Sequence, residues 1–178
     1  MQSPILNLAK IKLLSAVMGL TSPKEPFPWQ KDCLAAFLEN KIPSALDIPT
    51  GLGKTSVMAI WLVAWLSGVS VPRRLVYVVD RRAVVDQATS EAMSLRSFVE
   101  ARPDLAKKLG TAGTLPISTL RGKHVDNRVW LENPASPAII VGTVDMIGSR
   151  LLFEGYGVSR KMRPYHAGLL GADTLIVL

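Results

Sequence analysis

Short apolar runs alternate with stretches of helical spacing along this chain. Residues 44–48, 74–79, 138–141 and 175–178 are compact runs rich in aliphatic and β-branched side chains. Such runs mark strands buried on both faces. Residues 114–118 read as a further strand, interrupted by Pro116, which has no N–H to donate. Residues 54–66, 83–96, 103–109 and 144–152 read as helices. In 83–96 the apolar positions Val84, Val85, Ala88, Ala92, Met93 and Leu95 gather on one face. Alternating β and α runs predict an α/β fold with a parallel, doubly wound sheet. Crossovers are then right-handed, and ligands sit at the carboxyl ends of the strands. The last strand, 175–178, is expected near the sheet centre.

Two stretches resemble membrane signals. Residues 57–66 are wholly apolar but too short to span a bilayer. A helix packed on a sheet and covered on its other sides explains them better. Near the amino terminus, Lys10 and Lys12 precede the apolar run 13–18, but Ser15 and Gly19 interrupt it and no cleavage signal follows. An amphipathic leading helix is expected instead. The expected organisation is a leader and linker over residues 1–24 and one domain over 25–178, with no membrane span and a cytoplasmic location.

Composition adds one pointer. Among 178 residues, 48% are hydrophobic and 20% charged, which is ordinary globular usage and argues against disorder. Lys and Arg number 21 against 14 Asp and Glu, a formal charge of +7. That balance suits a polyanionic partner as well as it suits plain solubility. The single cysteine, Cys33, cannot form an internal disulfide, which fits a reducing compartment. Two segments between the regular elements carry positive charge and read as surface loops. One is 120–137, with Arg121, Lys123, Arg128 and Trp130. The other is 153–164, with Gly155, Gly157, Arg160, Lys161 and Arg163.

The chemistry centres on Asp47-Ile48-Pro49-Thr50-Gly51-Leu52-Gly53-Lys54-Thr55. An apolar run feeds a glycine-rich turn, and an apolar helix follows. This is the context of a phosphate-binding loop. Without a Cβ at the glycines, backbone N–H groups can converge on phosphate oxygens, and the helix start adds partial positive charge. Thr50, Gly51, Leu52 and Gly53 would form the cradle. Lys54 would reach the terminal phosphates and Thr55 would help hold Mg²⁺. The strict pattern has glycine where Ile48 stands. A loop that merely turns a strand into a helix is the alternative.

Three further groups bear on a ligand. In Phe27-Pro28-Trp29-Gln30, the Gln30 amide carries a donor and an acceptor, as an adenine edge requires. A plain helix start, with Pro28 in its first turn and the aromatics in the core, is the other reading. In Val79-Asp80-Arg81-Arg82, a strand ends in two cations at a helix start, where cations are unfavourable unless an outside anion meets them. Here Asp80 offers capping and a salt bridge as the alternative. In Gly142-Thr143-Val144-Asp145, Thr143 stands at an N-cap position. Its hydroxyl can cap the helix, contact a phosphate, or do both. His124 and His166 are isolated, with no second metal ligand at useful spacing.

Taken together these residues resemble the first RecA-like domain of a superfamily 2 helicase. In particular they resemble the CRISPR-associated helicase of type I interference systems. The likeness rests on Phe27 to Gln30, Asp47 to Thr55, residues 75–87 and 139–152, and the strand 175–178. It implies ATP and Mg²⁺ as cofactors, with Gln30 reading adenine and Thr50, Gly51, Leu52, Gly53, Lys54 and Thr55 holding the phosphates and metal. It implies a single-stranded DNA path touching Arg81, Arg82, Thr143 and Asp145, and a guide-RNA surveillance complex as recruiting partner. In this family an Asp-Glu pair follows the strand that here occupies 175–178. The resemblance therefore implies a RecA-like domain truncated before those acids, able to bind nucleotide weakly but not to turn it over alone. Another superfamily 2 motor, such as a restriction-enzyme translocase, and a non-catalytic nucleic-acid-binding module are the alternatives. No His-Asp pair for a nuclease metal centre occurs in the sequence.

Overall fold

The computed structural model describes residues 6–110, 113–121 and 129–178, with only the backbone described at Arg82. Lys123, His124 and Arg128 lie outside the described residues. The chain forms two compact units, Met1–Val71 and Pro72–Leu178.

The first unit contains three helices, α1 (Leu8–Val17), α2 (Pro28–Leu38) and α3 (Val57–Leu66). Asn7 caps α1, its Oδ1 accepting from Lys10 N at 3.1 Å. Pro28 opens α2, where its missing N–H costs nothing. Every residue of α3 except Trp65 is buried, and α1 and α2 both pack on it. This accounts for a helix with no polar face. The expected helix 54–66 is thus present in two parts, a 3₁₀ turn over Lys54–Ser56 followed by α3.

The strand expected at 44–48 does not form. Those residues carry no regular structure, and only Ile48 is buried. No other strand occurs among the described residues of this unit. Within this unit the backbone of 44–48 therefore joins no ladder among the described residues.

The second unit is a four-stranded, all-parallel sheet of β1 (Arg74–Val79), β2 (Ile117–Leu120), β3 (Ala138–Thr143) and β4 (Thr174–Val177), in the order β2-β3-β1-β4. The helices of this unit are α4 (Arg82–Glu100), α5 (Pro103–Ala106), α6 (Val129–Glu132), α7 (Val144–Leu151) and α8 (Arg163–Gly171). The chain steps from β1 past β3 to β2 through α4, then returns through α6 to β3 and through α7 and α8 to β4. With crossovers of one hand, a reversal of direction places the helices on opposite faces. The side chains agree. Thr89 of α4 hydrogen-bonds Thr119 at 3.2 Å, and Thr119 is in register with Val141 and Tyr77. On the other face, Val76, Val78, Leu120 and Ile140 form a core with Trp130, Met146, Ile147, Leu169 and Leu170 from α6, α7 and α8. This is the expected doubly wound arrangement.

Four local outcomes differ from expectation. First, β2 begins at Ile117, one residue past Pro116, because the proline cannot donate to a ladder. Second, β4 lies at the edge of the described sheet rather than near its centre. The centre goes to β1 and β3, the two six-residue strands, while Ile176 of β4 is 40% exposed. Third, Trp130 is not a surface-loop residue. It is fully buried, with His166 edge-on to its ring at 5.1 Å between centroids. Fourth, residues from Arg163 onward form α8. Among the described residues no helix is long and apolar enough to cross a membrane.

Candidate functional site

Within the first unit, the glycine-rich loop is tied to the start of α2. The Gln30 Oε1 accepts from Phe27 N at 2.8 Å, and its Nε2 donates to Ser56 Oγ at 2.8 Å. The Trp29 indole N–H donates to the Leu52 carbonyl at 3.1 Å. Thus two consecutive side chains of α2 hold the loop at Leu52 and at Ser56. Gln30 is almost wholly buried, whereas Phe27 is 46% exposed. Both ends of the amide are therefore engaged within the unit.

The loop itself has the shape a phosphate cradle needs. Gly51 and Gly53 both lie in the left-handed region, at φ 85° and 70°. A Cβ at Gly51 would meet nothing within 4 Å, so its backbone stands open to approach. At Gly53 a Cβ would come within 3.3 Å of Gln30 Nε2. Among the described residues, the N–H groups of Gly51, Gly53, Lys54 and Thr55 find no acceptor, while residues 50–51 form a hydrogen-bonded turn that engages Leu52 N. Free N–H groups on a left-handed turn form an anion-binding concavity. Thr50, Gly51, Gly53 and Lys54 are exposed, and Thr55 is half-buried. The residues present therefore fit a nucleotide triphosphate with its metal: N–H donors and an ammonium for the phosphates, and a hydroxyl for Mg²⁺. Ile48, which stands where the strict pattern has glycine, is buried, 9% exposed.

The second unit brings together Arg81 and Thr143. Val79 and Thr143 are register partners at the carboxyl ends of β1 and β3, and neighbouring strands lie about 4.8 Å apart. Arg81 is the N-cap residue of α4, with no side-chain cap and no acid in the first turn. Asp80 therefore does not cap this helix. It pairs with Arg81 at 3.6 Å, but both side chains are about four-fifths exposed, so the pair contributes little. Thr143 is the N-cap residue of α7 and is buried, yet its side chain makes no cap hydrogen bond. The expected capping role is absent, because the hydroxyl is not turned onto the first-turn N–H groups. Asp145 follows in that first turn, exposed. Gly142 is needed where it stands: a Cβ there would lie 2.9 Å from Ile147 Cδ1 and 3.1 Å from Leu120 Cβ.

Asp173 sits at the entry to β4, accepting from Arg73 N at 3.2 Å and pairing with its guanidinium at 3.4 Å. This is a structural tie at the amino end of the sheet. Cys33 is buried, which pushes its thiol up to about 11 and leaves it a poor nucleophile at neutral pH. Among the described residues no group of three or more His, Cys, Asp or Glu side chains is placed to hold a metal.

Sequence reasoning found the loop and the strand ends but missed Ser56 and the anchoring role of Trp29. The only signal for Ser56 was its place next to Thr55. A family model described as Type III restriction enzyme, res subunit, matches residues 23–163. No curated protein and no solved structure matches the chain.

Proposed function

The chain belongs to the type III restriction enzyme res subunit family and carries a superfamily 2 helicase RecA-like domain, and from that premise we propose that it is the ATP-binding part of a DNA motor acting in CRISPR interference. The observation that carries the proposal is the open turn at Gly51 and Gly53, where the N–H groups of Gly51, Gly53, Lys54 and Thr55 have no acceptor among the described residues and Lys54 is exposed beside them.

ATP, when bound, supplies the phosphoryl-transfer chemistry that drives such motors. The chain's own residues do the holding. The N–H groups of the loop donate to phosphate oxygens, Lys54 neutralises their charge, and Thr55 offers its hydroxyl to Mg²⁺. Gln30 fixes the loop through Ser56 and is assigned to adenine by its residue type and its place ahead of the loop. Arg81, Arg82, Thr143 and Asp145 line the path of single-stranded DNA at the carboxyl ends of β1 and β3. The interference role, with a guide-RNA complex as recruiter, rests on the wording of 45–51 and 78–82.

Membership of a type III restriction enzyme family favours a second reading, a restriction-type translocase that tracks duplex DNA. The test is the affinity of the protein for labelled oligothymidylate and for a duplex of equal length, with and without Mg-ATP. Single-strand binding that responds to ATP and weakens in Arg81→Ala supports the helicase reading. Preference for the duplex supports the translocase. Binding indifferent to ATP contradicts both.

A further inference from the structure

The segment joining α7 to α8 displays large apolar side chains to solvent. Leu152 is 75% exposed, Phe153 56% and Tyr156 58%, with Met162 and Tyr165 at 39% each. They alternate with Arg160, Lys161 and Arg163, against one carboxylate, Glu154. Arg163 is bound to Glu154 at 3.2 Å. Arg160 and Lys161 are exposed, and neither has an ion-pair partner among the described residues.

The loop is ordered by its backbone. Phe153 N donates to Arg150 O, and Glu154 N and Gly155 N both donate to Ser149 O at 2.8 and 2.9 Å. These bonds form the hydrogen-bonded close of α7 in which the residue after the cap adopts the left-handed region, and glycine is the favoured occupant there. Here the residue is Phe153, at φ 62°. A bulky side chain in that conformation is strained, and its ring gains little from burial. Local strain without a packing reward is the kind of outlier that points to a ligand. Gly155 tightens the same turn, since a Cβ there would lie 3.0 Å from Val158.

From this combination we infer that the loop 152–162 is a stacking platform for single-stranded nucleic acid, separate from the path at Arg81 and Thr143. Exposed rings give unpaired bases a face to stack on, and the free cations meet the phosphates between them. Duplex DNA, whose bases are already stacked, gains only the charge contacts. The inference deepens the nucleic-acid reading above and rests on it.

The test uses fluorescein-labelled oligothymidylate, an equal-length labelled duplex, and anisotropy over a salt series. Phe153→Ala with Tyr156→Ala weakens oligothymidylate binding by about tenfold per ring and leaves duplex binding unchanged. Tyr156→Trp retains the affinity. Arg160→Ala with Lys161→Ala weakens both ligands and lowers the salt slope by about 1.4 on the single strand. Phe153→Gly, which places the favoured residue in that turn, folds as well as the parent and still loses single-strand affinity. If the ring variants bind oligothymidylate like the parent while Arg81→Ala does not, the platform is wrong and the nucleic-acid reading stands. If the parent binds no oligothymidylate, both fall.

Discussion

Gln30 and Ser56 are joined by a 2.8 Å hydrogen bond that links the start of α2 to the first turn after the glycine-rich loop. The other end of the same amide satisfies Phe27 N. A residue whose type suggests adenine recognition is therefore also a strut of the phosphate cradle. The proposed adenine contact and the observed loop geometry thus share one side chain.

That coupling is measurable by a double-mutant cycle. Gln30→Ala leaves two polar groups without their partner and destabilises by about 1–3 kcal/mol. Ser56→Ala costs about 1 kcal/mol. In chemical denaturation the two are expected to interact by about 0.5–1.5 kcal/mol, as contacting residues do. Strict additivity would mean the bond carries no weight.

Gly53 and Gly51 separate strain from contact. Alanine at either position suffers the positive φ, at about 1 kcal/mol. Only at Gly53 does the added Cβ press on Gln30. Gly53→Ala is expected to weaken Mg-ATP binding more than Gly51→Ala at similar loss of stability. Equal nucleotide affinities in isothermal titration would remove Gln30 from the account.

At Gly142 the neighbours are a helix side chain and the Cβ of a strand residue. The Leu120 Cβ on β2 cannot swing away, so Gly142→Ala strains β3 against β2 while it also crowds Ile147 of α7. The expected loss is about 1–3 kcal/mol, read as a lower thermal midpoint. An unchanged midpoint would show that α7 packs more loosely than the structure shows.

Burial lifts the Cys33 thiol from 9.0 to about 11. Below pH 9 both folded and unfolded chains keep the proton, so the stabilising contribution is complete. Between pH 9 and 11 only the unfolded chain releases it, and stability falls as pH rises. Tyr77, also raised by burial, acts in the same direction. Melting at pH 8 and pH 10.5 is expected to show a smaller loss in Cys33→Ala than in the parent. Equal losses would place the thiol in water.

How far the sequence carried depended on where the information lies. The glycine turn was legible because Gly51 and Gly53 both take a positive φ, which glycine alone adopts freely. β1 and β3 were legible because they are buried on both faces and read as unbroken apolar runs. The run 44–48 misled because an apolar pattern says nothing about whether a partner strand is within reach. α8 was hidden by Gly168 and Gly171, which blur the helical period. Trp130 looked exposed among polar neighbours, yet the core it joins includes Leu169 and Leu170 from much further along the chain.

The loop from Thr50 to Thr55 is proposed to hold a nucleotide. A ligand that binds only the folded chain raises its melting temperature. The decisive measurement is thermal unfolding with and without millimolar Mg-ATP, for the parent and for Lys54→Ala. Protection in the parent that disappears in Lys54→Ala, with unchanged melting in the absence of nucleotide, is the predicted result. No protection of the parent, or equal protection of Lys54→Ala, would contradict it.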